Sequence, residues 1–177
     1  MFHPSDIVLI GLTTVAATID ARCRRIPNWL NAGIALVGIG AYLSGHGITW
    51  MALGMSLLGL LCGFVLLFPA FAIGAMGGGD VKLLAAVGAW TGPLGILIVL
   101  LAATVAGAVI ALIQAASSGK LAPLLHNSGL LVLNLAHVRS VGVEHIEQTG
   151  KAFRSIDRPL PYAVAMLAGV IVWCAWF

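Results

Sequence analysis

Residues 48–75, ITWMALGMSLLGLLCGFVLLFPAFAIGA, run for 28 positions without a charged side chain. A helix of about 20 apolar residues covers the hydrocarbon core of a bilayer, so this stretch is long enough to cross one. Residues 81–116, VKLLAAVGAWTGPLGILIVLLAATVAGAVIALIQAA, form a second run whose only charge is Lys82. A water-soluble core of this size would interleave charged surface positions through every element. This chain is 60% hydrophobic and 8% charged, with a mean hydropathy of +1.06, and leaves no such surface. It reads as an all-α, polytopic membrane protein forming a single membrane-embedded domain over 1–177. The longest polar segment, 117–158, is a loop-sized insertion of 42 residues.

Hydropathy predicts about six transmembrane helices, at 7–19, 29–43, 49–73, 82–90, 94–115 and 160–177. The fourth and fifth are separated only by Thr91-Gly92-Pro93, read as a tight turn because Pro ends a helix and Gly permits the bend. Lys and Arg of short loops stay on the cytoplasmic side. An N-out/C-out arrangement places all nine Lys and Arg residues there and leaves the outer loops with none. Trp50, Trp90, Trp173 and Trp176 then gather near the outer interface. The first six residues lack the basic n-region of a secretory signal, so cleavage of 7–19 is not expected. Cys23, Cys62 and Cys174 form no C-x-x-C and read as small apolar fillers.

The chain has only six acidic residues, and two of them, Asp20 and Asp80, border the apolar runs. A carboxylate at membrane depth costs a few kcal/mol by insertion scales of about 2.5–3.5, so each is a candidate functional group. The first is set in Asp20-Ala-Arg-Cys-Arg-Arg-Ile-Pro-Asn28, and the second in Gly77-Gly-Gly-Asp80-Val-Lys82. Pro27 and Asn28 supply a helix start, and Asn28 also offers side-chain hydrogen bonds. The glycines Gly77, Gly78 and Gly79 permit irregular backbone and close approach of an extended peptide, which implies a water-containing cleft. Close helix packing is the plainer use of glycine, as at Gly59-x-x-x-Gly63 and Gly88-x-x-x-Gly92. It needs no adjoining carboxylate. In the six-span topology Asp20 and Asp80 share the cytoplasmic face, which suggests a paired-carboxylate site.

These motifs together resemble the type IV prepilin peptidases, membrane aspartyl proteases of the GxGD class. The resemblance rests on Asp20 followed by Arg25-Ile-Pro-Asn28, on Gly77-Gly-Gly-Asp80-Val-Lys-Leu83, and on Leu160-Pro-Tyr162 opening the last span. It covers essentially the whole chain. The longer members carry paired C-x-x-C motifs and also N-methylate the processed pilin. This chain resembles the short form used with tight-adherence (Flp-type) pili, and methyltransferase activity is not expected. The resemblance implies that Asp20 and Asp80 hydrolyse a peptide bond with water, without metal or organic cofactor, at the cytoplasmic face of the bacterial inner membrane. One carboxyl stays protonated while the other is the general base. The implied substrate is a prepilin or pseudopilin with a short basic leader. Gly77, Gly78, Gly79, Lys82, Asn28, Pro161 and Tyr162 would shape or line the cleft, although Lys82 and Tyr162 also suit interfacial anchoring.

Within 117–158, the set His126, His137, His145, Glu144 and Glu147 matches no metal-site spacing. Residues 121–138 are apolar enough to lie as an amphipathic helix on the membrane or against the bundle. No basic patch interleaved with aromatics or phosphate-binding glycine loop points to nucleic acid or nucleotides. A reading from another class is a small proton-coupled transporter with Asp20 and Asp80 as proton carriers. Such proteins carry inverted repeats and midplane sites, and no repeat is visible here.

Overall fold

The computed structural model describes residues 4–23, 25–72, 76–117 and 162–176. They form five α-helices: α1 (Pro4–Cys23), α2 (Asn28–His46), α3 (Trp50–Ala72), α4 (Gly78–Ser117) and α5 (Tyr162–Trp176). No strand occurs among the described residues. The predicted loop 117–158 lies outside them apart from Ser117, which ends α4.

Local chemistry sets the helix ends. Pro4 opens α1, where its missing N–H costs nothing, while Asp6 in the first turn and Arg22 in the last suit the helix dipole. Pro27 is extended, with φ −62° and ψ 137°, and its carbonyl accepts the amides of Leu30 at 3.1 Å and Asn31 at 3.4 Å to launch α2. Gly47, at φ 84°, turns the chain after α2 in a conformation that a side chain would strain. Thr49 then caps α3, its hydroxyl accepting the Ala52 amide at 3.1 Å.

Helix α4 is two arms joined by a sharp break at Gly92, whose φ of 70° and ψ of −178° are non-helical, with Pro93 following. A straight helix would separate Asp80 from Gly107 by about 40 Å at 1.5 Å per residue. Yet Gly107 lies against Ala165, within one helical turn of Tyr162, which itself feels the charge of Asp80. The arms therefore fold back on each other. The expected Thr91-Gly92-Pro93 turn is borne out, with helical hydrogen bonding carried almost through it.

Neighbour relations give each segment its direction. Asn28 and Asn31 meet Lys82 and Gly79, while Ile34 and Gly38 meet Trp90, so α2 runs parallel to the first arm of α4. Gly63 opposes Leu84 and Gly59 opposes Gly88 and Gly92, so α3 runs antiparallel to that arm. Gly107, Gly169 against Val99 and Ala103, and Gly95 against Trp173 place the second arm antiparallel to α5. Asp20 beside Ala163 and Asp6 within electrostatic reach of Cys174 place α1 antiparallel to α5 as well.

Small residues let backbones touch. A Cβ at Gly59 would overlap the Gly88 carbonyl and stand 2.7 Å from the Gly92 Cα, so only glycine permits this α3–α4 approach. The expectation for the two small-residue motifs holds. Ser56, fully buried, donates to the Ala89 carbonyl at 2.7 Å across the same seam, and the Trp90 indole donates to the Ile34 carbonyl at 2.8 Å. Leu83, Leu84, Val87, Ile96, Val99 and Val170 fill the centre.

The outside of α3 and α4 is apolar too. Leu57, Leu61, Phe64 and Phe68 on α3, and Leu94, Leu97, Leu101 and Val105 on α4, are exposed at helical spacing. Both helices are long and apolar enough to cross a membrane, but only 22% and 17% of their most apolar windows is buried. Helices from a soluble core would hide that surface. These present it, as a lipid-facing helix must.

Candidate active site

Asp20 and Asp80 come from opposite ends of their helices and arrive at the same end of the bundle. Asp20 stands three residues before the C-terminus of α1, and Asp80 lies in the first turn of α4. Both are half-buried, and the charge of Asp20 acts directly on Asp80. Tyr162, the first residue of α5, lies within electrostatic reach of Asp80, and the next residue, Ala163, donates its amide to Asp20 Oδ2 at 3.4 Å. Three helices distant in sequence thus place their polar ends around two carboxyl groups. Arg22, Arg25 and Lys82, the Lys and Arg among the described residues, are exposed at this same end.

The glycine segment differs from its sequence reading. Gly78 and Gly79 are not irregular backbone but the first turn of α4, and neither they nor Gly77 has a positive φ. Asp80 N–H donates to the Gly77 carbonyl at 3.1 Å, which closes that turn. The turn is closely surrounded by side chains. A Cβ on Gly77 would come within 3.3 Å of Asp80 Oδ2, one on Gly78 within 3.2 Å of the Phe71 ring, and one on Gly79 within 3.4 Å of Ile26. Helical geometry wins over the intrinsic reluctance of glycine because α2 and α3 pack directly against the turn.

Asn28 and Lys82 are joined: the Lys82 ammonium donates to Asn28 Oδ1 at 2.9 Å, strapping α4 to α2 beside the carboxylates. Pro161 lies outside the described residues. Sequence reading passed over Asn31, which is buried and donates through Nδ2 to the Gly79 carbonyl at 3.2 Å. The available signal was an amide one turn after Asn28 on an apolar helix. A cavity of about 780 Å³ opens at the opposite end of the bundle, bordered by Asp6, Tyr42, His46, Trp90 and Trp173, and contains neither Asp20 nor Asp80. No group of three or more His, Cys, Asp or Glu side chains among the described residues could hold a metal.

Fold and site define a class: a helical membrane protein with two carboxyl groups converging at one end of its bundle. The chain belongs to the type IV leader peptidase family, which it matches over residues 7–112, a span that includes Asp20 and Asp80. It is 31% identical over 93 residues to a prepilin leader peptidase/N-methyltransferase of Klebsiella pneumoniae, covering 49% of this chain and 40% of that protein. It is 34% identical over 114 residues to a prepilin leader peptidase/N-methyltransferase of Pectobacterium carotovorum subsp. carotovorum, covering 60% of this chain and 40% of the relative. The matched region thus spans about 40% of the length of these curated relatives. No solved structure matches the chain.

Proposed function

We propose that the chain is an aspartyl endopeptidase that removes the leader from prepilin or pseudopilin substrates, with Asp20 and Asp80 as its catalytic pair. The observation that carries the reading is the convergence of these two carboxyl groups, 60 positions apart in sequence, at one end of the bundle, around the first turn of α5 and within electrostatic reach of each other. Family membership supports it independently.

In this reading the pair holds one proton between them, since two carboxylates in one site resist double ionisation. The ionised member takes a proton from water, and the resulting hydroxide attacks the scissile carbonyl carbon. The protonated member donates to the carbonyl oxygen, giving a neutral tetrahedral diol. Collapse breaks the C–N bond, and a proton passes to the departing amine. The pair titrates as a unit, so the roles belong to the dyad rather than to fixed residues. No metal is required.

The six helical segments are six transmembrane spans of one membrane-embedded domain, N-out/C-out and multi-pass in the bacterial inner membrane, with 117–158 on the cytoplasmic side. The grouping of Arg22, Arg25 and Lys82 at the carboxylate end supports a cytoplasmic site. That end is where a basic leader would be retained. Gly77, Gly78, Gly79, Asn28, Lys82, Pro161 and Tyr162 shape the cleft. A proton-coupled transporter is less well supported, because its carboxylates would sit near the bilayer midplane.

The test is co-expression with a leader-bearing Flp-type prepilin, following the shift in pilin mobility. Loss of cleavage in both Asp20→Asn and Asp80→Asn at normal membrane abundance supports the dyad. Cleavage retained in either variant removes that residue from it.

A further inference from the structure

We infer that Asn31 is a positioning residue for Asp80, holding the peptide plane on which the Asp80 carboxyl is mounted. This rests on the reading of Asp20 and Asp80 as the catalytic pair. The peptide unit joining Gly79 to Asp80 has two polar atoms, and both are tied. Its oxygen, Gly79 C=O, accepts from Asn31 Nδ2 at 3.2 Å, and its nitrogen, Asp80 N–H, donates to Gly77 C=O at 3.1 Å. A plane held at both polar atoms cannot rock about its Cα–Cα axis. Asp80 is therefore aimed by a tether from α2 as well as by its own helix.

That tether matters because glycine supplies little rigidity of its own. Gly77, Gly78 and Gly79 have no side chains to lock the turn, and each of their dihedrals is freer than in any other residue. The stiffness must come from neighbours: Ile26 against Gly79, Phe71 against Gly78, and the Asn31 amide. Of these, only Asn31 makes a directional bond.

Stability alone does not account for an amide at this position. Asn31 is 4% exposed, beside Leu30 and on the same buried face as Ile34, and its Oδ1 has no hydrogen-bond partner among the described residues. A buried acceptor left unmet is unfavourable, and a well-packed apolar side chain of similar volume would avoid it. The cost is retained together with the bond to Gly79.

The experiment measures kcat and KM for cleavage of a leader-bearing prepilin by the full chain in detergent, comparing wild type, Asp80→Asn, Asn31→Leu and Asn31→Asp across pH. Asn31→Leu keeps the branching and the number of heavy atoms and removes the donor. It is expected to lower kcat by about 10- to 100-fold, as small misplacements of catalytic groups do, with KM within about twofold. Asn31→Asp is near-isosteric and donates to Gly79 C=O only when protonated, so its activity relative to wild type should recover as pH falls. A space-filling role leaves kcat in the first variant at the wild-type value, so the kcat of Asn31→Leu separates the two roles. Wild-type kcat in Asn31→Leu, or a flat relative profile in Asn31→Asp, overturns the inference while leaving the dyad intact. Cleavage by Asp80→Asn, or none by wild type, overturns the dyad and the inference with it.

Discussion

Replacing Gly59 by Ala tests the packing that brings α3 against the first arm of α4. The added Cβ would overlap the Gly88 carbonyl and approach the Gly92 Cα and carbonyl carbon at 2.7 and 2.8 Å. All three obstacles are backbone atoms, which cannot rotate aside as a side-chain tip could. Ordinary carbon contacts lie at about 3.5–4.0 Å, so the helices must separate by roughly 1 Å at their closest point. Overpacking of this kind costs about 1–3 kcal/mol, from which the better helix propensity of Ala returns about 0.5–1 kcal/mol. A net destabilisation of up to about 2.5 kcal/mol follows, and a difference from the Gly54→Ala control of about 1–3 kcal/mol. Gly54→Ala is the control on the same helix: nothing lies within 4 Å of its Cβ, so only the propensity gain remains. Reversible unfolding in mixed detergent, monitored by circular dichroism, would compare the two with wild type. Equal stability of Gly59→Ala and Gly54→Ala would refute the argument that the α3–α4 seam is set by glycine.

Asp20→Asn and Asp80→Asn should each lower prepilin cleavage by at least about 10²-fold, the scale of general acid–base catalysis, with unchanged membrane abundance by immunoblot. Chelators added to the purified enzyme should leave its rate unaltered, and a rate that falls with EDTA and returns with a divalent cation would contradict a metal-free dyad. Gly38→Ala should destabilise because its Cβ would enter the Trp90 indole ring, and Trp90→Phe should cost about 1 kcal/mol through loss of the bond to Ile34. Combined, the two should cost less than their sum, since a smaller ring makes room for the Cβ, and additive melting shifts would refute that contact.

The helix-forming stretches were legible because hydropathy is a property of composition. Predicted 49–73 became Trp50–Ala72, and predicted 29–43 became Asn28–His46. The starts of α2 and α3 were readable to within one residue because Pro27 and Thr49 act locally, whereas α1 and α2 run on past their predicted ends. The reversal at Gly92 could be read from Gly-Pro, but not the helical hydrogen bonding on either side of it. The site was legible in its charges, because carboxylates bordering apolar runs are conspicuous. Its supports were not. The glycines of Gly77–Gly79 gave a flexible-loop signal, yet packing by Ile26 and Phe71 draws two of them into a helix. Asn31 carries no motif, and its partner is a backbone carbonyl 48 positions away, so only the folded chain identifies it.

The arrangement also bears on how two carboxyl groups can share one end of a membrane bundle. Unpaired amides concentrate positive potential at helix N-termini, equivalent to about half an elementary charge. Asp80 sits in the first turn of α4, and Asp20 accepts the Ala163 amide from the first turn of α5. Each carboxyl thus faces a different helix N-terminus, which favours the ionised form at either position. The same geometry depends on the reversal at Gly92. Without it the second arm of α4 would run on through the bundle, and α5, which packs antiparallel to that arm, could not bring Tyr162 and Ala163 to the carboxylates.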